Sequence, residues 1–425
     1  LVEKFYSNIR NHEAVKALGP GLITGAADDD PSGIATYSQA GAQFGFNMLW
    51  TLLITYPFMV GIQLVSARIG RVTGKGLAAN IRRAYPPSLL YLIVFLLLVA
   101  NIINIAADIA AMGEATWLVI GSGSPHLYSL AIGFLCLSLQ IFLPYRRYVH
   151  YLKWLTLGLL AYVATVLTIN VPWGEVFART FNPHFEWNNE SVTLIVAVFG
   201  TTISPYLFFW QASQEVEEIR ADTLAQSLNK APEHAAAHLK RIKIDTFIGM
   251  GFSNLVAFFI ILTTASTLAV NGIHNIQTSA QAAQALRPLA GEFAFILFGL
   301  GIIGTGMLAV PVLAGSAAYA VTESFRWPNG LDLKALQARE FYAIISLATI
   351  GGMLLNFTPI DPIKALFWSA LINGVIAVPI MAVMLLLACE TNIMGRFTLS
   401  RRHRVIGWTG VLVMAGAVVG MLVTM

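Results

Sequence analysis

Residues 19–46 read GPGLITGAADDDPSGIATYSQAGAQFGF, an apolar run interrupted near its middle by Asp28, Asp29, Asp30 and Pro31. The run is long enough to cross hydrocarbon, which takes about 20 residues. Proline removes a backbone donor and clashes with the preceding turn, so a helix entering this stretch breaks there. An unwound backbone at membrane depth is tolerated only where it lines a cavity or is buried in protein. Intramembrane carboxylates are costly and mark functional sites. Residues 192–214, VTLIVAVFGTTISPYLFFWQASQ, repeat the construction, with Pro205 among Thr201, Thr202 and Ser204. Two ordinary proline kinks are the plainer reading, and the three aspartates weigh against it.

The rest of the chain fits a membrane setting. Of 425 residues 56% are hydrophobic and 11% charged, and the mean hydropathy is +0.69. A soluble globule of this size cannot hide that much apolar surface in one core. Runs able to span a bilayer recur at 18–42, 46–69, 88–118, 127–144, 151–171, 190–214, 244–270, 291–323, 340–358, 362–389 and 405–424. The expectation is an all-α protein of eleven transmembrane helices, occupying residues 1–425 as a single transport domain.

Charge orients it. With eleven spans the loops alternate sides, and all of the 26 lysines and arginines except Arg179, Arg287 and Lys364 fall on the N-terminal side. The positive-inside rule then puts the N-terminus in the cytoplasm and the C-terminus outside, in a cell or inner membrane. The net charge of +4 is therefore accounted for by topology, with no nucleic-acid partner. The start of the chain is polar and mixed in charge, unlike a cleavable leader. Cys136 and Cys389 sit far apart in apolar runs and read as core residues. The 215–243 linker reads as a connector with a surface helix, and 174–190 as an aromatic external cap.

The breaks fall in the first and sixth runs. A repeat of five spans is odd, so its second copy lies inverted, as in transporters whose site forms where two broken helices meet at the midplane. This implies a LeuT-like inverted repeat of 5+5 spans, residues 18–171 and 190–389, with an extra span at 405–424.

The stretch 19–50, followed by VGIQLVSARIGRVTGKGLA at 60–78, resembles the Nramp family of divalent-metal transporters. It has the opening GPG, a DPGN-type break, an AGAQFG run and a run similar to RLGxxTG. In that family the Asp and Asn of DPGN, a carbonyl just upstream, and an Ala carbonyl and Met sulfur from an AxxMPH break hold the metal. The resemblance implies that Asp30 is the carboxylate ligand and that Ala27 and Thr201 supply carbonyls. Gly33 stands in place of the Asn, Ser204 in place of the Met, and Tyr206 in place of the His. This departure is similar to the Nramp-related magnesium transporters. A set of one carboxylate, carbonyls and a hydroxyl is hard. It suits Mg²⁺, whereas a thioether suits softer metals.

Further cavity or pathway candidates are Asp28, Asp29, Asn104, Asp108, Glu114, Gln63 and Asn373. Asn101, Asn104 and Asp108 share one face of the third run. For the two asparagines, a satisfied bond between helices is the alternative. Asp108 matches the Asp of the family's proton-pathway helix, but Ala111 stands where a Glu should follow, and the ninth run carries only Arg339. The resemblance thus implies uptake of Mg²⁺, with Mn²⁺ also accepted, by alternating access and without proton coupling. The alternatives are a proton-coupled Mn²⁺ or Fe²⁺ importer, or a transporter of an amino acid or other organic solute. No nucleophile–base pair or HExxH motif suggests an enzyme. No cofactor is implied. The partners are the metal ion and the lipid bilayer; the sequence leaves the oligomeric state open, and a monomer is plausible.

Overall fold

The computed structural model describes residues 20–143, 158–184, 187–222, 225–357 and 361–424. Among them there is no strand. The helices used below are α1 (Pro20–Asp28), α2 (Pro31–Phe44), α3 (Leu49–Thr73), α4 (Leu77–Ala84), α5 (Pro87–Ile120), α6 (Pro125–Phe142), α7 (Leu160–Thr168), α8 (Trp173–Phe181), α9 (Asn189–Thr202), α10 (Pro205–Ala221), α11 (Ala235–Thr264), α12 (Ala294–Phe325), α13 (Arg339–Leu355), α14 (Pro362–Leu387) and α15 (Arg401–Thr424).

Both expected breaks are present, and proline acts in each as a helix starter. Pro31 opens α2 behind Asp30, which is the N-cap, and Pro205 opens α10 behind Ser204. Proline suits that position because its missing N–H has no partner to lose there. By contrast Pro57, Pro311 and Pro379 lie inside α3, α12 and α14.

Eight helical stretches among the described residues are long and apolar enough to cross a membrane. The difference from eleven has three sources. Residues 31–73 run as one stretch through α2 and α3, joined by a tight turn at Gly45–Met48, and so merge the first two expected runs. The fifth expected run lies partly outside the described residues, where α7 is its described part. The ninth, α13, has only 17 residues. The expected 215–243 connector is mostly helix: α10 continues to Ala221 and α11 begins at Ala235, because the charged residues there pair (Arg241 with Glu215 at 2.6 Å and Glu218 at 2.9 Å). The aromatic cap contains α8, with Phe177, Phe181 and Trp187 exposed. Cys136 is buried and unpaired, and Cys389 is half-buried.

Glycines allow the helices carrying the breaks to lie directly on their neighbours. A Cβ at Gly25 of α1 would overlap the backbone of Gly249 on α11, and one at Gly200 of α9 would overlap Ala370 and Gly374 on α14. Backbones that meet through such small residues are typical of helix packing in lipid. Gly25→Leu therefore lowers the melting temperature in detergent by at least about 5 °C through overpacking. Gly416→Leu, at a position where a Cβ meets nothing, is the control and leaves it unchanged.

Candidate metal site

Where α1 ends, the chain turns through Asp29 and Asp30 before α2 starts. Asp30 has extended backbone, and its Oδ1 accepts the Gly33 N–H at 2.8 Å and the Ser32 hydroxyl at 2.6 Å. An N-cap carboxylate satisfies donors that the first turn leaves free. The other oxygen, Oδ2, turns toward α5 and α10. It accepts the Asn104 amide at 2.9 Å, and the Tyr206 hydroxyl stands 3.5 Å away. Asn104 is held in turn by the Ser369 hydroxyl of α14 at 2.7 Å. Asp30 is 2% exposed, and Gly33, Ser32 and Asn104 hold this carboxylate with three donated hydrogen bonds.

The second break meets the first here. Tyr206, one residue past Pro205, donates to the Ala27 carbonyl at 3.0 Å. Tyr37 on α2 and Thr202 on α9 share a hydroxyl bond of 3.0 Å. A Cβ on Gly33 would stand 3.2 Å from Thr201 Oγ1 and 3.4 Å from the Asp28 carbonyl, so Gly33 lies against the end of α9. Ser204, the N-cap of α10, turns back on α9 and donates toward the Gly200 and Thr201 carbonyls at 3.0 and 2.9 Å. Asp30, Ala27, Gly33, Thr201 and Ser204 thus gather around the meeting of the two breaks. The carbonyls of Ala27 and Thr201 each already accept a hydroxyl. Each keeps a second lone pair, so a cation there would sit beside the Tyr206 and Ser204 hydroxyls.

The remaining candidates divide. Asp28 and Asp29 face α11, where the Ser253 hydroxyl reaches Asp28 Oδ2 at 2.8 Å and Asp29 Oδ1 at 3.0 Å. One hydroxyl proton cannot serve both. Asp108 is wholly buried, and neither of its oxygens has a hydrogen-bond partner. Such a group in a dry interior needs a cation, a proton or water beside it. No ion pair involves Asp28, Asp29, Asp30 or Asp108 among the described residues. Gln63 donates to the Leu207 carbonyl in the first turn of α10 at 3.4 Å. Asn373 is buried on α14 with its amide nitrogen unpartnered. Glu114 accepts the Ser279 N–H at 3.3 Å, away from the breaks, and Asn101 ties α5 to α12 through Leu313 and Ser316.

Ser32, Tyr37, Ser253 and Ser369 were not singled out in the sequence. Ser32 could have been, since it sits within the break. The other three are single polar residues on helices, which give no signal without their partners. No group of three or more His, Cys, Asp or Glu side chains converges among the described residues, so a cation at Asp30 meets mainly neutral oxygens.

Access differs at the two ends. A cavity of about 530 Å³ opens between α2, α9 and α14, with Gln39, Gln43, Glu190, His274 and Lys364 in its walls, and it reaches Ala35 and Phe367, close to Pro31 and Ser369. At the other end α1 is tied down: Asp245 accepts the Gly21 N–H at 2.7 Å, and Thr24 donates to Gln211 at 2.6 Å.

Comparison with known proteins gives a consistent result. The family "Natural resistance-associated macrophage protein-like" matches residues 21–424. The divalent metal cation transporter MntH of Deinococcus radiodurans is 27% identical over 409 residues, covering 92% of this chain and 86% of the relative. The manganese transporter of Eremococcus coleocola, solved with an aromatic bis-isothiourea compound, superposes with a TM-score of 0.69 at 16% identity, covering 94% and 84% of the two chains. Mhp1, a nucleobase-cation-symport-1 family transporter in a closed conformation, superposes with a TM-score of 0.59 at 12% identity, covering 96% and 93%.

Proposed function

This chain belongs to the Nramp family, and from that premise we propose that it carries divalent cations across the cell membrane, Mg²⁺ foremost and Mn²⁺ as well, by alternating access and without moving protons. The observation that carries the choice of metal is the donor set at the junction of the breaks. Asp30, the carbonyls of Ala27 and Thr201, and the hydroxyls of Ser204 and Tyr206 are all oxygen. A single carboxylate with neutral oxygens suits a hard cation that keeps several waters. Gly33 and Ser204 are smaller than the Asn and Met of the family pattern and take up less of the space those waters need.

The two halves, 18–171 and 190–389, act in this reading as inverted repeats, with eleven spans in all and the N-terminus in the cytoplasm. The cavity beside Ala35 then faces outward, and the tie between Gly21 and Asp245 closes the inner side. Uptake into proteoliposomes across Mg²⁺, Mn²⁺, Ca²⁺ and amino acids is the test. Amino-acid uptake without metal uptake overturns the reading.

A proton-coupled Mn²⁺ or Fe²⁺ importer is the second reading. The manganese transporter of Eremococcus coleocola favours the metal of that reading, and Asp108, whose unpartnered carboxyl could take a proton, favours the coupling. Against it stand Ala111, Tyr206 and the single arginine of α13. A pH-sensitive dye trapped in the vesicles separates the two. The expected result is metal uptake with no accompanying acidification. Acidification that tracks uptake supports the proton-coupled importer.

A further inference from the structure

The end of α12, the start of α5 and the short helix α4 together form a basic and aromatic surface at the margin of the membrane-spanning region. Arg82 on α4 donates from its guanidinium to the Glu323 carbonyl and to the Ser324 carbonyl, the latter at 3.1 Å, which docks α4 on the last turn of α12. Phe325 ends that helix and stacks on Tyr91 of α5 with ring centroids 6.0 Å apart, and on Trp327 at 4.8 Å, with planes within 23° and 22° of parallel. All three rings are exposed, Tyr91 and Phe325 at 49% each and Trp327 at 38%.

Arg326 lies between Phe325 and Trp327 in the chain. It is the one non-glycine residue with positive φ among the described residues, at φ 61°. Its N–H and that of Trp327 both reach the Thr322 carbonyl, so the left-handed cap is rigid. An arginine in that conformation is strained relative to glycine or asparagine, and strain of this kind is retained where the side chain has a use. Lys75 lies close enough to Arg82, Arg83 and Arg326 to interact with each electrostatically, as does Arg82 with Arg326. Partial burial, reinforced by Arg83, Arg82 and Arg326, pushes the Lys75 ammonium below its ordinary range. None of the four cations is in an ion pair among the described residues. Glu323, a carboxylate that Arg82 feels electrostatically, is buried and accepts the Ala79 N–H at 3.1 Å.

Four unpaired cations beside three stacked, exposed aromatics fit an amphipathic anion. Aromatic rings settle at the headgroup level of a bilayer, and clustered Lys and Arg bind anionic headgroups. We propose that Lys75, Arg82, Arg83 and Arg326, with Tyr91, Phe325 and Trp327, form a binding surface for the phosphate headgroup of an anionic phospholipid. The lipid lies against the seam between α5 and α12, with its headgroup over α4 and Arg326. This inference rests on the helices crossing a membrane and not on which metal the protein carries.

The test reads Trp327. The protein is reconstituted in phosphatidylcholine vesicles containing equal small fractions of brominated phosphatidylglycerol or brominated phosphatidylcholine. The difference between wild type and Trp327→Phe isolates quenching of that one ring. The expected result is several-fold stronger quenching by the brominated phosphatidylglycerol. Lys75→Gln, Arg83→Gln and Arg326→Asn together bring the ratio close to one, since a basic residue near an anionic surface contributes about fivefold in affinity. Arg82 is left in place because it anchors α12, and asparagine accepts the conformation of residue 326. Equal quenching by the two lipids in wild type overturns the proposal. So does a ratio that the triple variant leaves unchanged, or loss of the preference on adding inorganic phosphate at the headgroup concentration.

Discussion

Asp30→Asn abolishes metal uptake while the protein remains folded. The amide can still accept the Gly33 N–H through its oxygen, so the cap on α2 survives. What is lost is the negative charge at the junction of the breaks. Removing one partner of a buried charge pair costs about 3–5 kcal/mol, which is a hundredfold or more in affinity. Asp30→Ala has the same effect on transport and an added stability cost of about 1 kcal/mol from the lost cap. Uptake of Mg²⁺ and Mn²⁺ into proteoliposomes, with the melting temperature measured alongside, separates the two effects. Near-normal uptake by the folded Asn variant removes Asp30 from the site.

Ser204→Met shifts the preference toward Mn²⁺ and Cd²⁺ by about an order of magnitude, the effect of adding a soft ligand to a hard set. The substitution has a second consequence at this site. Ser204 donates its hydroxyl toward the Gly200 and Thr201 carbonyls, and methionine, which has no donor, removes that hydrogen bond. Gly33→Asn, which returns an amide ligand, strengthens the shift when combined with Ser204→Met. Its Cβ comes within 3.2 Å of Thr201 Oγ1, so the threonine side chain must give way by a few tenths of an ångström. The combined variant therefore loses some stability as it gains selectivity. Competition of Mn²⁺ and Cd²⁺ against Mg²⁺ uptake in the single and double variants is the measurement. An unchanged order of preference removes Ser204 from the ligand set.

The two breaks were legible from the chain because a proline flanked by polar residues, deep in an apolar run, interrupts the helix and leaves backbone groups that lipid cannot satisfy. Pro31 and Pro205 indeed restart helices. The residues to which the family resemblance pointed, Ala27, Asp30, Gly33 and Tyr206, lie together around one junction. The rotation of each helix about its own axis was not legible. Asp28 and Asp29 face Ser253 on α11, a direction set by the close approach of Gly25 to Gly249 and by the turn that ends α1. Helical periodicity says nothing inside such a turn. Glu114, six residues past Asp108 on the same helix, likewise reaches Ser279 and not the junction, because its partner opens a short helix far along the chain. Asn104 fell on the expected face, but its clamp between Asp30 and Ser369 depends on α14, whose serine carries no signal in isolation.

The central claim is that an oxygen-only site at Asp30 carries a hard cation. Its most direct test is Mg²⁺ uptake by the wild-type protein in proteoliposomes against rising Cd²⁺. The account predicts steady Mg²⁺ uptake, with Cd²⁺ competing no better than its concentration relative to Mg²⁺ allows. Transport of Mn²⁺ with exclusion of Mg²⁺, or inhibition by Cd²⁺ far below the Mg²⁺ concentration, contradicts it.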